Sequence, residues 1–139
     1  MTVQDSHIDQ GAVSLQDHCI YLAGGGRMRS YPRTVEFLRN TRQDPSLVGG
    51  RMLTLFHASC SEDVHYPTWE MHPHGDELLI LLSGSLSVEF RDSGRVEASL
   101  LQPQAAFIVP SGDWHRLIVH ESSTLIAITL GHQTVHEAD

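Results

Sequence analysis

An all-β barrel or sandwich with one short helix is the fold class this sequence predicts, and three observations predict it. From Gly49 onward, short runs rich in leucine, β-branched and aromatic residues recur at intervals of about ten residues, each bounded by turn-forming residues. Asp92-Ser93-Gly94 separates two such runs as a hairpin turn would, with glycine supplying a positive φ. Only one segment reads as a helix, and no internal repeat or low-complexity tract interrupts the series.

Residues 1–11 are polar and read as a flexible N-terminal arm, which leaves residues 12–139 as a single domain. Val13, Leu15, Ile20, Tyr21 and Leu22 make residues 12–23 an early strand. Gly24-Gly25-Gly26 lacks the Gly-Lys-Ser/Thr of a phosphate cradle and reads as a turn. The helix follows over residues 35–42. Thr34 N-caps it, Glu36 suits its positive end, and Arg39 and Arg42 suit the other. Val35 and Leu38 share a side, and Asp44-Pro45 ends it because proline pushes its predecessor out of helical dihedrals. The later strands are expected at residues 51–57, 68–72, 77–82, 85–90, 95–101, 105–110, 115–120 and 124–130.

The bulk numbers agree. A chain of 139 residues suits one domain and buries enough surface for a core without disulfides. The formal charge is −8 and all nine cationic residues are arginine, so Schiff-base and lysine-base chemistry are excluded. An acidic chain without a basic cluster argues against nucleic acid or an anionic membrane as partner. The longest apolar run, residues 78–82, is far too short to span a bilayer, and the start lacks a signal-peptide plan. The expected location is therefore cytoplasmic. Cys19 and Cys60 form no CxxC motif and read as two reduced thiols.

Ten histidines are many, but His7, His18, His57, His65 and His120 stand outside any ligand-type pattern and read as surface or satisfied histidines. The segment WEMHPHGDELLILLSG is different. Alternation puts Glu70 and His72 on one face, away from Trp69 and Met71. Pro73-His74-Gly75-Asp76 then has turn composition, and Glu77 shares the face of Leu79 and Leu81. A carboxylate pointing into an apolar barrel wants a metal, an arginine or a set of hydrogen bonds. Glu70 and His72 would be its neighbours across the hairpin. Pro110-Ser111-Gly112-Asp113-Trp114 is a turn that delivers His115 above the same core as Leu117.

These two segments resemble the paired motifs of the cupin family. Six residues separate Glu77 from Gly84, as the first motif requires, and Pro110, Gly112 and His115 match the second completely. Counting back from Glu77 places Glu70 and His72 where the family has its two histidines. His72 and His74 are the rival pair, at the wrong spacing and with His74 inside the turn, so Glu70–His72 is preferred. The chain is also similar to a group of small cupins with a WEMHP-x-GDE segment and a C-terminal G-x-x-T-x-H, here Gly131, Thr134 and His136.

The resemblance implies a jelly-roll barrel (a double-stranded β-helix). It also implies one divalent metal ion held by His72, Glu77, His115 and Glu70, with His74 as rival to Glu70. Two imidazoles and carboxylates suit Fe, Mn, Ni or Zn alike. The functional expectation is a mononuclear-metal enzyme acting on a small polar molecule, as an oxidoreductase of the dioxygenase kind, an isomerase or a lyase. The alternative is a non-catalytic module that binds or senses a small ligand or metal. Leu78, Ile80 and Leu82, on the face opposite Glu77, would form an apolar patch, so a homodimer is expected.

Overall fold

A computed structural model describes residues 11–41, 44, 47, 49–130 and 132–139 of the chain. Residues 1–10 of the expected arm over residues 1–11, with His7 among them, and Arg42, Pro45 and Gly131 lie outside the described residues. The elements run in the order β1 (His18–Leu22), β2 (Met28–Pro32), α1 (Val35–Thr41), β3 (Arg51–Ala58) and a 3-10 turn (Ser61–Val64). Then come β4 (Trp69–Met71), β5 (Glu77–Asp92), β6 (Arg95–Leu101), β7 (Ala106–Val109), β8 (His115–Thr129) and β9 (Val135–Glu137).

All pairings are antiparallel, and β5 and β8 are the frame. The first half of β5 (Leu78–Leu81) pairs with the last part of β8 and with β7. β8 there also pairs with β3, which continues through β1 to β2. The second half of β5 (Leu86–Phe90) pairs with the start of β8 and with β6, while β4 and β9 extend that side. Two sheets therefore share two long bent strands, and the chain is an all-β jelly roll.

Sequence reading split each long strand in two, because Ser83-Gly84 and Glu121–Ser123 have turn composition. In the structure the ladder runs on through register shifts between Leu81 and Leu86. Gly84 allows the bend. Its φ is +94°, and a Cβ there would stand 2.3 Å from the carbonyl oxygen of Ser122. Only glycine fits, for both conformational and steric reasons. The early strand expected over residues 12–23 is shorter and forms a hairpin with β2, and β2 and β9 were not expected at all. The helix begins where expected, with the Phe37 amide donating to Thr34 Oγ1 at 3.0 Å.

The packed core lies inside the barrel. Leu79, Leu81, Leu86, Val88, Leu101, Val109, Leu125 and Ala127 are buried there. Burying each large side chain contributes about 1.5–3 kcal/mol. Of these core residues, Leu79, Leu125 and Ala127 also line the cavity that holds the polar groups.

Candidate metal centre

Each side chain of the centre lies in a strand or directly beside its end. Glu70 sits in β4, in register with His115 of β8 on one side and His136 of β9 on the other. Trp69, beside it, points the other way and is fully buried. The guanidiniums of Arg91 and Arg116 lie 4.3 Å and 4.2 Å from its ring. Those arginines also hold the C-terminal residues, through Glu137 at 3.3 Å and Asp139 at 3.3 Å. The packing of Trp69 thus ties β9 beside β4.

The two motif segments clasp each other. The Gly112 amide and the Ser111 hydroxyl donate to the carbonyl of His72 at 2.9 Å and 3.2 Å. The Ser111 amide donates to Asp76 Oδ1 at 2.8 Å. The loop that carries His115 is thereby bonded to the turn that carries His72 and Glu77.

Glu70, His72, Glu77 and His115 each offer one donor atom, and the four atoms lie within 4.8 Å of one another. His72, Glu77 and His115 are buried, whereas Glu70 is partly exposed. His72 Nδ1 lies 2.9 Å from Thr134 Oγ1, and His115 Nδ1 lies 3.4 Å from the carbonyl of Asp113. A ring that donates from Nδ1 keeps its Nε2 lone pair free. Both Nε2 atoms face the carboxylates: His115 Nε2 is 3.1 Å from Glu77 Oε1, and His72 Nε2 is 2.9 Å from Glu70 Oε1 and 3.3 Å from Glu77 Oε2. The Thr129 hydroxyl donates to Glu77 Oε2. His136 Nε2 lies 3.2 Å from Glu70 Oε2, which leaves Oε1 directed inward.

The electrostatics follow from this crowding. Burial alone would raise the Glu77 carboxyl, but His115 and His72 outweigh it and hold the group at about 2. Burial alone would lower His72, but Glu70 and Glu77 outweigh it and push the imidazole up to about 9. Glu70 is also held below its ordinary value, with His72 overcoming the effect of burial. A buried and a partly buried carboxylate side by side need positive charge, either protons on the imidazoles or a cation.

The donor set fits a divalent metal. Two nitrogens and two carboxylates converge, and their outer atoms are held by Thr134, Asp113, Thr129 and His136. His72 Nε2 is buried, and its contacts with Glu70 and Glu77 are close but lack hydrogen-bond geometry, so a cation between these atoms would satisfy all three groups. His74 is not in the group. It is exposed and bonded to Gln133 at 2.6 Å, with its ring against His132.

Of the histidines set aside from sequence, His18, His57 and His120 bond Asp17, Thr124 and Ser87. His65 instead lines the cavity, as do His132 and His136. Sequence reasoning gave no role to Thr129, Thr134 or His136. The spacing of Gly131, Thr134 and His136 was the available signal for the last two. The cavity above the centre has a volume of about 340 Å³.

No family model matches the chain. The uncharacterized protein YdbB of Bacillus subtilis (strain 168) is 38% identical over 48 residues, 34% of this chain and 40% of that protein. The match therefore spans less than half the length of that curated relative. A deletion mutant of Bacillus subtilis oxalate decarboxylase OxdC aligns with a TM-score of 0.50 at 16% identity, over 61% of this chain and 23% of that one. A cupin-2 domain containing protein from Shewanella frigidimarina NCIMB 400 aligns with a TM-score of 0.46 at 22% identity, over 57% and 69%. At these identities the likeness concerns the fold alone.

Proposed function

We propose that this chain, which has the cupin fold, binds one divalent metal ion through Glu70, His72, Glu77 and His115 and is a mononuclear-metal enzyme acting on a small molecule in the cavity. The observation that carries the reading is the convergence of one donor atom each from Glu70, His72, Glu77 and His115 within 4.8 Å of one another, three of the four side chains being buried. A divalent ion in that position supplies Lewis-acid polarisation of a bound oxygen, or a redox centre where the ion is iron or manganese. Fe, Mn, Ni and Zn all suit this donor set.

The chain's own residues then have defined tasks. Thr134 and the Asp113 carbonyl hold the two rings in the tautomer that frees Nε2. Thr129 and His136 fix the carboxylates of Glu77 and Glu70. Such outer partners commonly contribute about 10–100-fold to metal affinity.

His115→Ala should abolish stoichiometric metal binding and leave the fold intact, since His115 sits at a strand end rather than in the packed core. Elemental analysis of untagged wild type and variant decides the point. Equal metal per chain in the two proteins would sink the assignment.

Glu70→Ala should weaken metal affinity by more than tenfold, whereas His74→Ala should leave it nearly unchanged. The basis is that Glu70 Oε1 lies 2.9 Å from His72 Nε2 while His74 bonds Gln133. Competition with a chromophoric chelator measures both. The reverse order would put His74 on the ion.

A further inference from the structure

We infer that the molecule bound in the cavity has a hydrocarbon body and a single oxygen-bearing head of at most one negative charge, its head at the metal centre and its body along the apolar wall. The inference rests on the metal reading above and adds the class of ligand.

The cavity lining combines two kinds of side chain. At its floor are Glu70, His72, Glu77 and His115. Thr54 and Thr68 also face the cavity, but its aliphatic side chains include Met52, Leu79, Leu117, Leu125 and Ala127 of β3, β5 and β8 and Leu38 of α1. A molecule that places polar groups against these side chains loses hydrogen bonds to water and recovers none. A hydrocarbon body instead gains roughly 25 cal/mol for each Å² it buries.

Charge limits the head. The Glu70 and Glu77 carboxylates already match a divalent ion, so a dianionic ligand would leave the floor doubly negative beside an apolar wall. Asp63 adds a further carboxylate to the lining. Among the described residues, Arg116 is the guanidinium that lines the cavity, and it is engaged: Glu89 at 2.7 Å, Asp139 at 3.3 Å, and the rings of Trp69 and Tyr66. A neutral or singly charged chelating head, such as a hydroxyketone or an enolised diketone, satisfies the ion without that excess.

Size follows from volume. A dry cavity of about 150 Å³ accommodates benzene, with six heavy atoms. The 340 Å³ here suits a molecule of about a dozen heavy atoms on the same scale.

The test uses the cobalt(II)-loaded full chain, three chelators and the cobalt visible spectrum. Acetylacetone and benzoylacetone share the head and differ by a phenyl group; oxalate is a dianion without a body. Each affinity is divided by that for free cobalt(II), and cobalt retained after gel filtration is measured in every case. Benzoylacetone is expected to bind about tenfold more tightly than acetylacetone on this scale, and oxalate more weakly than either. Ala127→Leu, which projects into the cavity, should keep the cobalt and lose most of the phenyl preference. Equal binding of the two diketones, or oxalate binding more tightly than both, with cobalt retained, would overturn the inference alone. Failure of the wild type to hold cobalt would overturn the metal reading, and the ligand class with it.

Discussion

Lowering the pH from 9 to 7 should weaken divalent-metal binding about fiftyfold, because proton competition at Nε2 grows towards tenfold per unit below the His72 value of about 9. Glu70 and Glu77 attract either a proton or a metal to that nitrogen, and only one fits. Glu77 titrates near 2 and stays ionised throughout this range, so it adds no pH dependence of its own. The metal-free protein should show the complementary behaviour. His72 is raised from 6.5, so its contribution to stability is fully present below 6.5 and is lost as pH rises through about 9. Glu77 is lowered from 4.5, so its contribution is present above 4.5 and is lost as pH falls through about 2. Metal-free protein should therefore be destabilised above pH 9, where the metal-loaded form gains most. Metal affinities at pH 7, 8 and 9, with melting curves of both forms, measure the two trends. A metal affinity flat across this range would place the ion away from His72.

Ile80→Lys should convert the protein from dimer to monomer, or make it aggregate, because Ile80 stands in the middle of an apolar sheet face for which we propose a second copy as partner. Leu53 and Leu78 are each in register with Ile128, and Leu78 also with Ile108. In the adjacent row Leu55 and Ile80 flank Ile126. Ile108 is 63% exposed and Leu82 47%. The helix does not cover this face: Leu38 turns into the cavity, and Phe37 stacks on Tyr31 at 5.1 Å. β1 does not cover it either, since it extends the sheet edgewise from β3. A continuous face of this kind is rarely left wet, and a two-fold axis lets identical rows meet. Sedimentation across a wide concentration range is the measurement. Wild-type protein that remains monomeric throughout would leave no role for the patch in assembly.

The sequence determined what local periodicity and turn chemistry encode. Alternation of apolar residues is enough to place Glu77 with Leu79 and Leu81 inside, and the glycine seven positions on marks the bend that no Cβ fits. Thr34 announces its helix because its hydroxyl caps a backbone amide three residues away, a purely local bond. The spacing that put Glu70 rather than His74 on the inner face is local too, since it counts strand residues against turn residues.

Tertiary structure alone decided the rest. β9 has three residues, all exposed, so it carries no burial pattern to read and exists because β4 offers it a partner. β5 and β8 continue through serine-rich bends that look like turns, because each keeps the other paired across the gap. Thr134 and His136 reach His72 and Glu70 across 62 and 66 residues. No window of sequence contains both ends of those bonds, and only the closing of the barrel brings them together.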